Sequence, residues 1–308
     1  MSQYHNPVLL KESVDALVTR PDGYYADATF GGGGHSAEIL RRLGPEGHLM
    51  AFDRDADALG NALDDPRFIL IHNNFRFIYN YTLLHAPEGL DGVLADLGVS
   101  SHQFDTAERG FSFRFSAPLD MRMNGQGDKT AADVVNSYTQ EELERILRTY
   151  GELDNARKMA QLISAAVKTA PIRTTDDLGN ALSAALPSFA PHKVLAKVYQ
   201  ALRIEVNQEM LSLEKFLEGT ARALKPGGRL VVITYHSLED RMVKNFMRSG
   251  NILDSSAQQD IYGRSTAPFV PEGRKRTVPQ EAEIAANTRA RSAKMRVARK
   301  TEQTGTEQ

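Results

Sequence analysis

Three aspartates fall where short apolar runs give out. Asp27 stands just ahead of four glycines (Gly31–Gly34), Asp53 follows His48–Phe52, and Asp96 follows Gly92–Ala95. Carboxylates in such places accept hydrogen bonds from a ligand and favour one that carries positive charge. The turn Asp27-Ala-Thr-Phe-Gly-Gly-Gly-Gly-His35 lets the backbone approach a ligand closely, because no Cβ intervenes. Asp53 lies 20 residues past Gly33, the spacing at which a carboxylate can accept from both hydroxyls of an adenosine ribose. A glycine turn alone is commonly structural; together with Asp53 and Asp96 it points to a nucleoside-type ligand. No G-x-x-x-x-G-K-[ST] occurs, and the dinucleotide fingerprint G-x-G-x-x-G fails at Ser36. Asp27 upstream of the turn would repel a pyrophosphate. It suits S-adenosylmethionine, which carries a sulfonium and an α-ammonium.

The segment Asp96-Leu-Gly-Val-Ser-Ser-His-Gln103 bears on the reaction. An exocyclic base amine is a poor nucleophile, since its lone pair is delocalised into the ring. Asp96 and nearby backbone carbonyls could accept its N–H groups, localise that lone pair and aim it at a methyl group. This is catalysis by orientation and electrostatic preorganisation, with no covalent enzyme intermediate. The chain has no cysteine, so no thiolate is available to add to a pyrimidine ring, and nitrogen or oxygen methylation remains. Disulfides, thiolate zinc sites and iron–sulfur clusters are excluded on the same ground. The competing role for Asp96 is a strand-end cap.

The elements that must position these residues follow an α/β rhythm. Strands are expected at Tyr24–Thr29, His48–Phe52, Phe68–His72 and Gly92–Ala95, with helices at Ser36–Leu43 and Asp55–Leu63. From about Phe104 to Asn207 no convincing strand is found. Thr139 and Glu142 form a capping box ahead of Leu143, Ile146, Leu147 and Tyr150 at helical spacing, and similar patterns run through Ala156–Val167 and Leu178–Leu186. The α/β rhythm resumes with a helix through Leu213–Leu224, a turn at Lys225–Gly228, a strand at Arg229–Tyr235 and a helix at Ser237–Arg248 capped by Ser237 and Asp240. Residues 250–286, polar and rich in Pro and Gly, are expected to form a long, partly mobile loop before an edge strand at Arg291–Ala298. The fold class is thus α/β, with one α/β domain in two parts (1–103 and 208–308) and an inserted all-helical domain (104–207) expected to recognise substrate.

With 308 residues, 41% hydrophobic and 25% charged, the chain can bury a sizeable core. No apolar run is long enough to span a bilayer, and the N-terminus lacks the basic and apolar regions of a signal peptide, so a cytoplasmic protein without membrane contact is expected. The net charge of −2 conceals a local +7 between Arg264 and Lys300, which with Arg109, Arg122 and Lys197 is expected to contact RNA phosphates. Surface ion pairs are the plainer reading for Lys197 and Arg203. A homodimer is compatible with this sequence.

The motifs, taken in order, resemble the bacterial 16S ribosomal RNA cytosine-N4 methyltransferase family known as MraW or RsmH. They are His5-Asn-Pro-Val-Leu-Leu10, Asp27–Ser36, Phe52-Asp-Arg-Asp55, Asp96–Ser101, Glu108-Arg-Gly-Phe-Ser-Phe113, Pro118-Leu-Asp-Met-Arg-Met123, Tyr235-His-Ser-Leu-Glu-Asp-Arg241 and Asn287-Thr-Arg-Ala-Arg-Ser292. The resemblance runs nearly end to end. It implies a class I, Rossmann-like S-adenosylmethionine-dependent methyltransferase acting on 16S ribosomal RNA, within the small ribosomal subunit. It also implies that Gly33, Gly34 and His35 lie against the cofactor and Asp53 on its ribose. Phe75 then packs near the adenine, Asp96 near the sulfonium or adenine side, and Gln103 near the methionine end.

One departure concerns the target base. Many amino-methyltransferases carry an Asp/Asn-Pro-Pro-aromatic motif after the fourth strand, whose ring stacks on a flipped base. Here Asp96 is followed by Leu-Gly-Val, leaving Phe111, Phe113 and His236 as candidate stacking groups. His236 could equally cap the end of its strand. A zinc site there is not expected, because no second histidine or acid is read at ligand spacing. Two other functions stay open: an NAD-dependent oxidoreductase, and a non-catalytic module that binds nucleoside and RNA.

Overall fold

The computed structural model describes residues 7–125, 127, 129–256, 259, 263 and 265–302, the side chains of Ser101, Arg274 and Lys275 excepted. His5 and Asn6 of the first motif, and Arg264 of the basic segment, lie outside the described residues. In chain order the elements are α1 (Leu10–Leu17), β1 (Tyr24–Asp27), α2 (Gly34–Arg42), β2 (His48–Asp53), β3 (Phe68–His72), α3 (Ile78–His85) and β4 (Leu90–Asp96). Next come α4 (Ser101–Asp105), α5 (Ala131–Ser137), α6 (Gln140–Thr149), α7 (Ala156–Thr169), α8 (Thr175–Leu182) and α9 (Pro191–Asn207). The chain finishes with α10 (Glu209–Ala223), β5 (Leu224–Thr234), α11 (Ser237–Ser249), β6 (Phe269–Thr277), α12 (Glu281–Ala286) and β7 (Lys294–Lys300). Two compact units result, Met1–Gly98 with Leu211–Gln308, and Val99–Met210.

The first unit is built on a seven-stranded sheet ordered β3-β2-β1-β4-β5-β7-β6. Strands β1 to β5 are parallel, while β7 runs antiparallel to β5 and to β6. Apolar runs dictate the buried centre: Leu230–Ile233 and Val93–Ala95 are fully enclosed, as expected of parallel strands covered on both faces. Strand order reverses between β1 and β4, which is where open α/β sheets bind ligands beyond the strand ends. Asp27 and Asp96 close the two strands at that point, and Asp53 closes β2 beside them.

Several expectations are corrected here. Asp55–Leu63 is not an α-helix; Ala56–Asn61 forms a 3-10 turn capped by Asp55, whose side chain accepts from Asp57 N. Short polar residues that bond nearby backbone disfavour a longer helix. The segment read as a loop over 250–286 contains β6 and α12, because Pro271 and Gly273 sit on an outer strand, where a missing N–H is tolerated. Strand β7 is consequently interior and not an edge. The cap of α11 is His236 and not Ser237, since Glu239 supplies the reciprocal half of the capping box.

The second unit is helical, its described residues containing no strand beyond an isolated bridge between Pro118 and Thr174. Leu143, Ile146 and Leu147 of α6 pack with Met159 and Ile163 of α7 and with Val198 and Leu202 of α9. Capping boxes at Thr130/Asp133, Thr139/Glu142 and Thr174/Asp177 fix where its helices begin. Ahead of α5 the chain reverses at Gly110 (φ 69°), where an added Cβ would lie 2.3 Å from the Pro118 carbonyl oxygen. Gly110→Ala is therefore expected to destabilise the fold by about 2 kcal/mol or more in urea unfolding. Gly60→Ala, which meets nothing within 4 Å, is expected to stay within ~0.5 kcal/mol of the parent. Equal effects would contradict this account of Gly110.

Candidate active site

The site of the first unit is built outward from β1. Buried Asp27 is committed to structure: its Oδ1 accepts from Thr29 N (3.0 Å) and its Oδ2 from Ser36 Oγ (2.7 Å). Those bonds pin the glycine turn, which Phe30 N ties to the Phe52 carbonyl at 2.9 Å. Gly33 adopts φ 78° and caps α2, a conformation that a side chain would strain. Asp53 braces the turn from β2, its Oδ2 accepting from Gly31 N and its Oδ1 from Asp55 N, both at 2.8 Å. Asn61 Nδ2 donates to the Gly31 carbonyl at 3.1 Å. Each Asp53 oxygen has spent one lone pair on backbone and keeps another for a ligand hydroxyl.

On the other side of β1, Asp96 N donates to Thr29 Oγ1 at 2.7 Å. The Asp96 carboxylate receives the Tyr235 hydroxyl on Oδ1 at 2.7 Å, and its Oδ2 lies 4.0 Å from His35 Nδ1. His35 Nε2 sits 3.1 Å from the Val8 carbonyl. A carbonyl can only accept, so Nε2 carries a proton, and Nδ1 is the nitrogen turned to Asp96. Buried His35 is thus held between the chain ahead of α1 and the end of β4.

Among the described residues no lysine or arginine pairs with Asp27, Asp53 or Asp96. The electrostatics show the consequence. Burial pushes the Asp96 carboxyl up to about 6, with Asp27 and Glu239 adding to the rise while His35 and the Tyr235 hydrogen bond oppose it. Burial likewise raises Asp53, against its two backbone hydrogen bonds. Burial, and then the Asp96 charge, hold the Tyr235 hydroxyl protonated well above its ordinary range. Uncompensated carboxylates beside an open backbone turn fit an adenosine-bearing cation and disfavour a pyrophosphate.

The remaining expected residues are placed as follows. Phe75 opens a 3-10 turn after β3, half-buried and edge-on to Phe216 with ring centroids 5.2 Å apart. His236 caps α11, accepting from Glu239 N on Nδ1, while its Nε2 lies 3.1 Å from Glu239 Oε1. An acid does therefore stand at ligand range of it, contrary to the sequence expectation; the reciprocal half of the cap is a different contact, His236 N donating to Glu239 Oε2 at 3.4 Å. The others belong to the helical unit. Gln103 is buried there, its Oε1 accepting from Ser100 N in the capping box of α4. Phe111 is a core residue, edge-on to Phe104, and Phe113 packs edge-on to Tyr199. Arg109 donates to the carbonyls of Arg122 and Met123, and Arg122 is bidentate to Asp120. Arg203 is bidentate to Glu209 and largely buried, so a surface pair is the wrong description of it. Lys197 is exposed and donates to the Glu152 carbonyl.

Much of the basic C-terminal segment is also spent internally. Arg296 is bidentate to Asp240, Lys300 donates to the Ala221 carbonyl, and Arg299 lies 3.7 Å from Glu272. Arg276 and Arg291 are exposed and form no ion pair among the described residues. Sequence reasoning missed Tyr235, Thr29 and Asn61 as parts of the site. Tyr235 lay inside a quoted motif, but its partner depends on strand pairing.

The MraW methylase family model matches residues 2–301 of the chain. A protein named Ribosomal RNA small subunit methyltransferase H from Flavobacterium johnsoniae is 55% identical over 298 residues, covering 97% of this chain and 98% of that protein. Proteins of the same name from Christiangramia forsetii (53% over 301 residues, covering 97% and 99%) and Bacteroides thetaiotaomicron (55% over 300 residues, covering 96% and 97%) are similarly close.

Asp96 also sets a stability test. In the folded chain it keeps its proton up to about 6, whereas an unfolded carboxyl releases it near the ordinary 3.8. The folded state therefore binds more protons across that window, and its stability falls as pH rises through it. Asp96→Asn removes this penalty while keeping an acceptor for Tyr235. Urea unfolding of the ligand-free protein should show the variant more stable at pH 8, by up to ~3 kcal/mol, with the difference falling to about a third of that by about pH 4.5 and vanishing only below about pH 3. An equal difference at both pH values would contradict the assignment.

Proposed function

The chain belongs to the MraW methylase family, and from that premise we infer that it transfers a methyl group from S-adenosylmethionine to the exocyclic N4 amine of a cytidine in 16S ribosomal RNA. It is a methyltransferase with S-adenosylmethionine as methyl donor. Cytidine N4 as the target atom, and the small ribosomal subunit as the substrate particle, are our reading. The observation that carries it is Asp96, a carboxylate at the end of β4 beside the glycine turn, tied by Tyr235 and paired with no lysine or arginine among the described residues. The same charge pattern argues against the oxidoreductase alternative, whose pyrophosphate would meet these acids. We place the reaction in the cytoplasm; no helix among the described residues is long and apolar enough to cross a membrane.

Bound S-adenosylmethionine supplies an electrophilic methyl carbon on a positively charged sulfur. Asp53 would hold the ribose hydroxyls with its remaining lone pairs, and the Gly31–Gly34 backbone would let the ligand approach without obstruction. Phe75 would pack on the adenine, with Gly33, Gly34 and His35 lining the same ligand. Asp96 would accept an N–H of the cytosine amine, draw the lone pair out of conjugation and take the proton released as the new bond forms. No covalent enzyme intermediate is needed, in keeping with a chain that has no cysteine. Gln103, and Arg109, Phe111, Phe113 and Arg122, sit in the helical unit, which we assign to RNA recognition. For Arg109, Arg122 and Phe111 the internal bonds and packing support a role in shaping that unit more than in touching RNA. Exposed Arg276 and Arg291 are better placed to meet phosphates.

Mass spectrometry of nucleosides from small-subunit RNA tests this directly. Incubation with the protein and S-adenosylmethionine should produce N4-methylcytidine, and a methylated nucleoside of any other kind would overturn the assignment of the target atom. Asp96→Asn should lower turnover by about a hundredfold or more while cofactor affinity stays within a few fold. Unchanged methylation by that variant would remove Asp96 from the mechanism.

A further inference from the structure

Tyr235 follows the last residue of β5, two positions beyond Ile233, which is paired in register with Asp96 on β4. Three contacts fix it. Its ring lies against Gly98, where a Cβ would come within 3.3 Å. Its N–H donates to Oε2 of buried Glu239 at 2.9 Å. Its hydroxyl donates to Asp96 Oδ1 at 2.7 Å. That last bond is charge-assisted whenever Asp96 is ionised, the stronger kind of hydrogen bond. The other oxygen, Asp96 Oδ2, is left with His35 Nδ1 at 4.0 Å, beyond hydrogen-bond reach, while His35 Nε2 is committed to the Val8 carbonyl. The two oxygens of one carboxylate are thereby made inequivalent.

We propose that Tyr235 is a positioning residue for methyl transfer, locking the Asp96 carboxylate so that Oδ2 is the oxygen that meets the amine of the target base. The proposal rests on the reading of Asp96 given above. In the step it serves, the amine nitrogen bonds to the methyl carbon, the carbon–sulfur pair goes to sulfur, and the nitrogen's proton passes to Asp96 Oδ2. Tyr235 stays protonated throughout and acts only as a donor. Four groups surround the Asp96 charge: Asp27 ending β1, His35 on α2, Glu239 on α11, and Tyr235. Asp27 and Glu239 favour the protonated carboxyl, whereas Tyr235 and His35 favour the carboxylate. Removing the hydroxyl therefore frees the carboxylate to rotate and makes it harder to ionise.

The test is Tyr235→Phe, which keeps the ring against Gly98 and deletes one hydrogen bond. Turnover and KM for S-adenosylmethionine are measured from pH 5 to 9 in both proteins, with thermal unfolding as a check on folding. The expected result is a kcat lowered by roughly tenfold to a hundredfold near neutral pH. KM for the cofactor should stay within about twofold, and the acidic limb of the kcat profile should move to higher pH in the variant. A purely structural tyrosine would lower kcat without moving that limb, and such a result overturns the proposal. Superimposable profiles for the two proteins overturn it as well. A parent profile with no acidic limb, or full activity in Asp96→Asn, overturns instead the reading of Asp96 on which the proposal stands.

Discussion

Carboxylates gathered at one edge of a sheet, with no lysine or arginine among the described residues to neutralise them, are the constraint on which the rest of this structure depends. Asp27 and Asp96 end adjacent strands at the point where strand order reverses, and Asp53 ends the next strand along. Asp27 acts unfavourably on the charged forms of both other acids, and burial compounds the effect. A fold that only sought stability would place a cation there or leave the positions apolar. This one satisfies the carboxylates with neutral donors: the N–H groups of Thr29, Gly31 and Asp55, and the hydroxyls of Ser36 and Tyr235. Neutral donors orient a charge without cancelling it, which leaves the edge ready for a positively charged ligand.

The rest of the first unit makes that arrangement rigid. Parallel strands enclosed on both faces supply the packing, and the glycine turn is hydrogen-bonded to β2 through Phe30 and Gly31. The Leu9 N–H donates to Glu283 on α12, and the Val8 carbonyl receives His35, so the chain ahead of α1 is tied to both the last helix and the second. Around the acids the backbone turns left-handed at glycines: Gly31 (φ 52°), whose N–H Asp53 accepts, Gly33 (φ 78°), and Gly98 (φ 105°), two residues past Asp96. The helical unit has its own core and its own capping boxes, which suits it to present a surface independently of the chemistry.

Those parts of the site that depend on local pattern were legible in the sequence. The acids at the ends of β2 and β4 follow from where apolar runs stop, and the glycine turn announces itself. The capping box at Thr139 and Glu142 is likewise a matter of residues three apart. What escaped depends on contacts remote in sequence. Tyr235 reaches Asp96 across 139 positions through the pairing of β4 with β5, which nothing in the spacing reveals. Charge counting is incomplete for a related reason: of the ten cations near the C-terminus, Asp240, Glu272 and the Ala221 carbonyl engage four, which only the fold reveals. Composition misled at 250–286, because Pro and Gly signal a loop except on an outer strand, and only the sheet order identifies β6 as outer.

The central claim is that the edge is held partly protonated for want of a cation and that the methyl donor supplies one. Calorimetric titration at about pH 6, repeated in buffers of different ionisation enthalpy, counts protons exchanged on binding. S-adenosylmethionine should release protons, because its positive charge favours ionised Asp96, and S-adenosylhomocysteine, which has the same adenosine but a neutral sulfur, should release distinctly fewer. The same proton count for the two ligands, or none for either, would contradict the account.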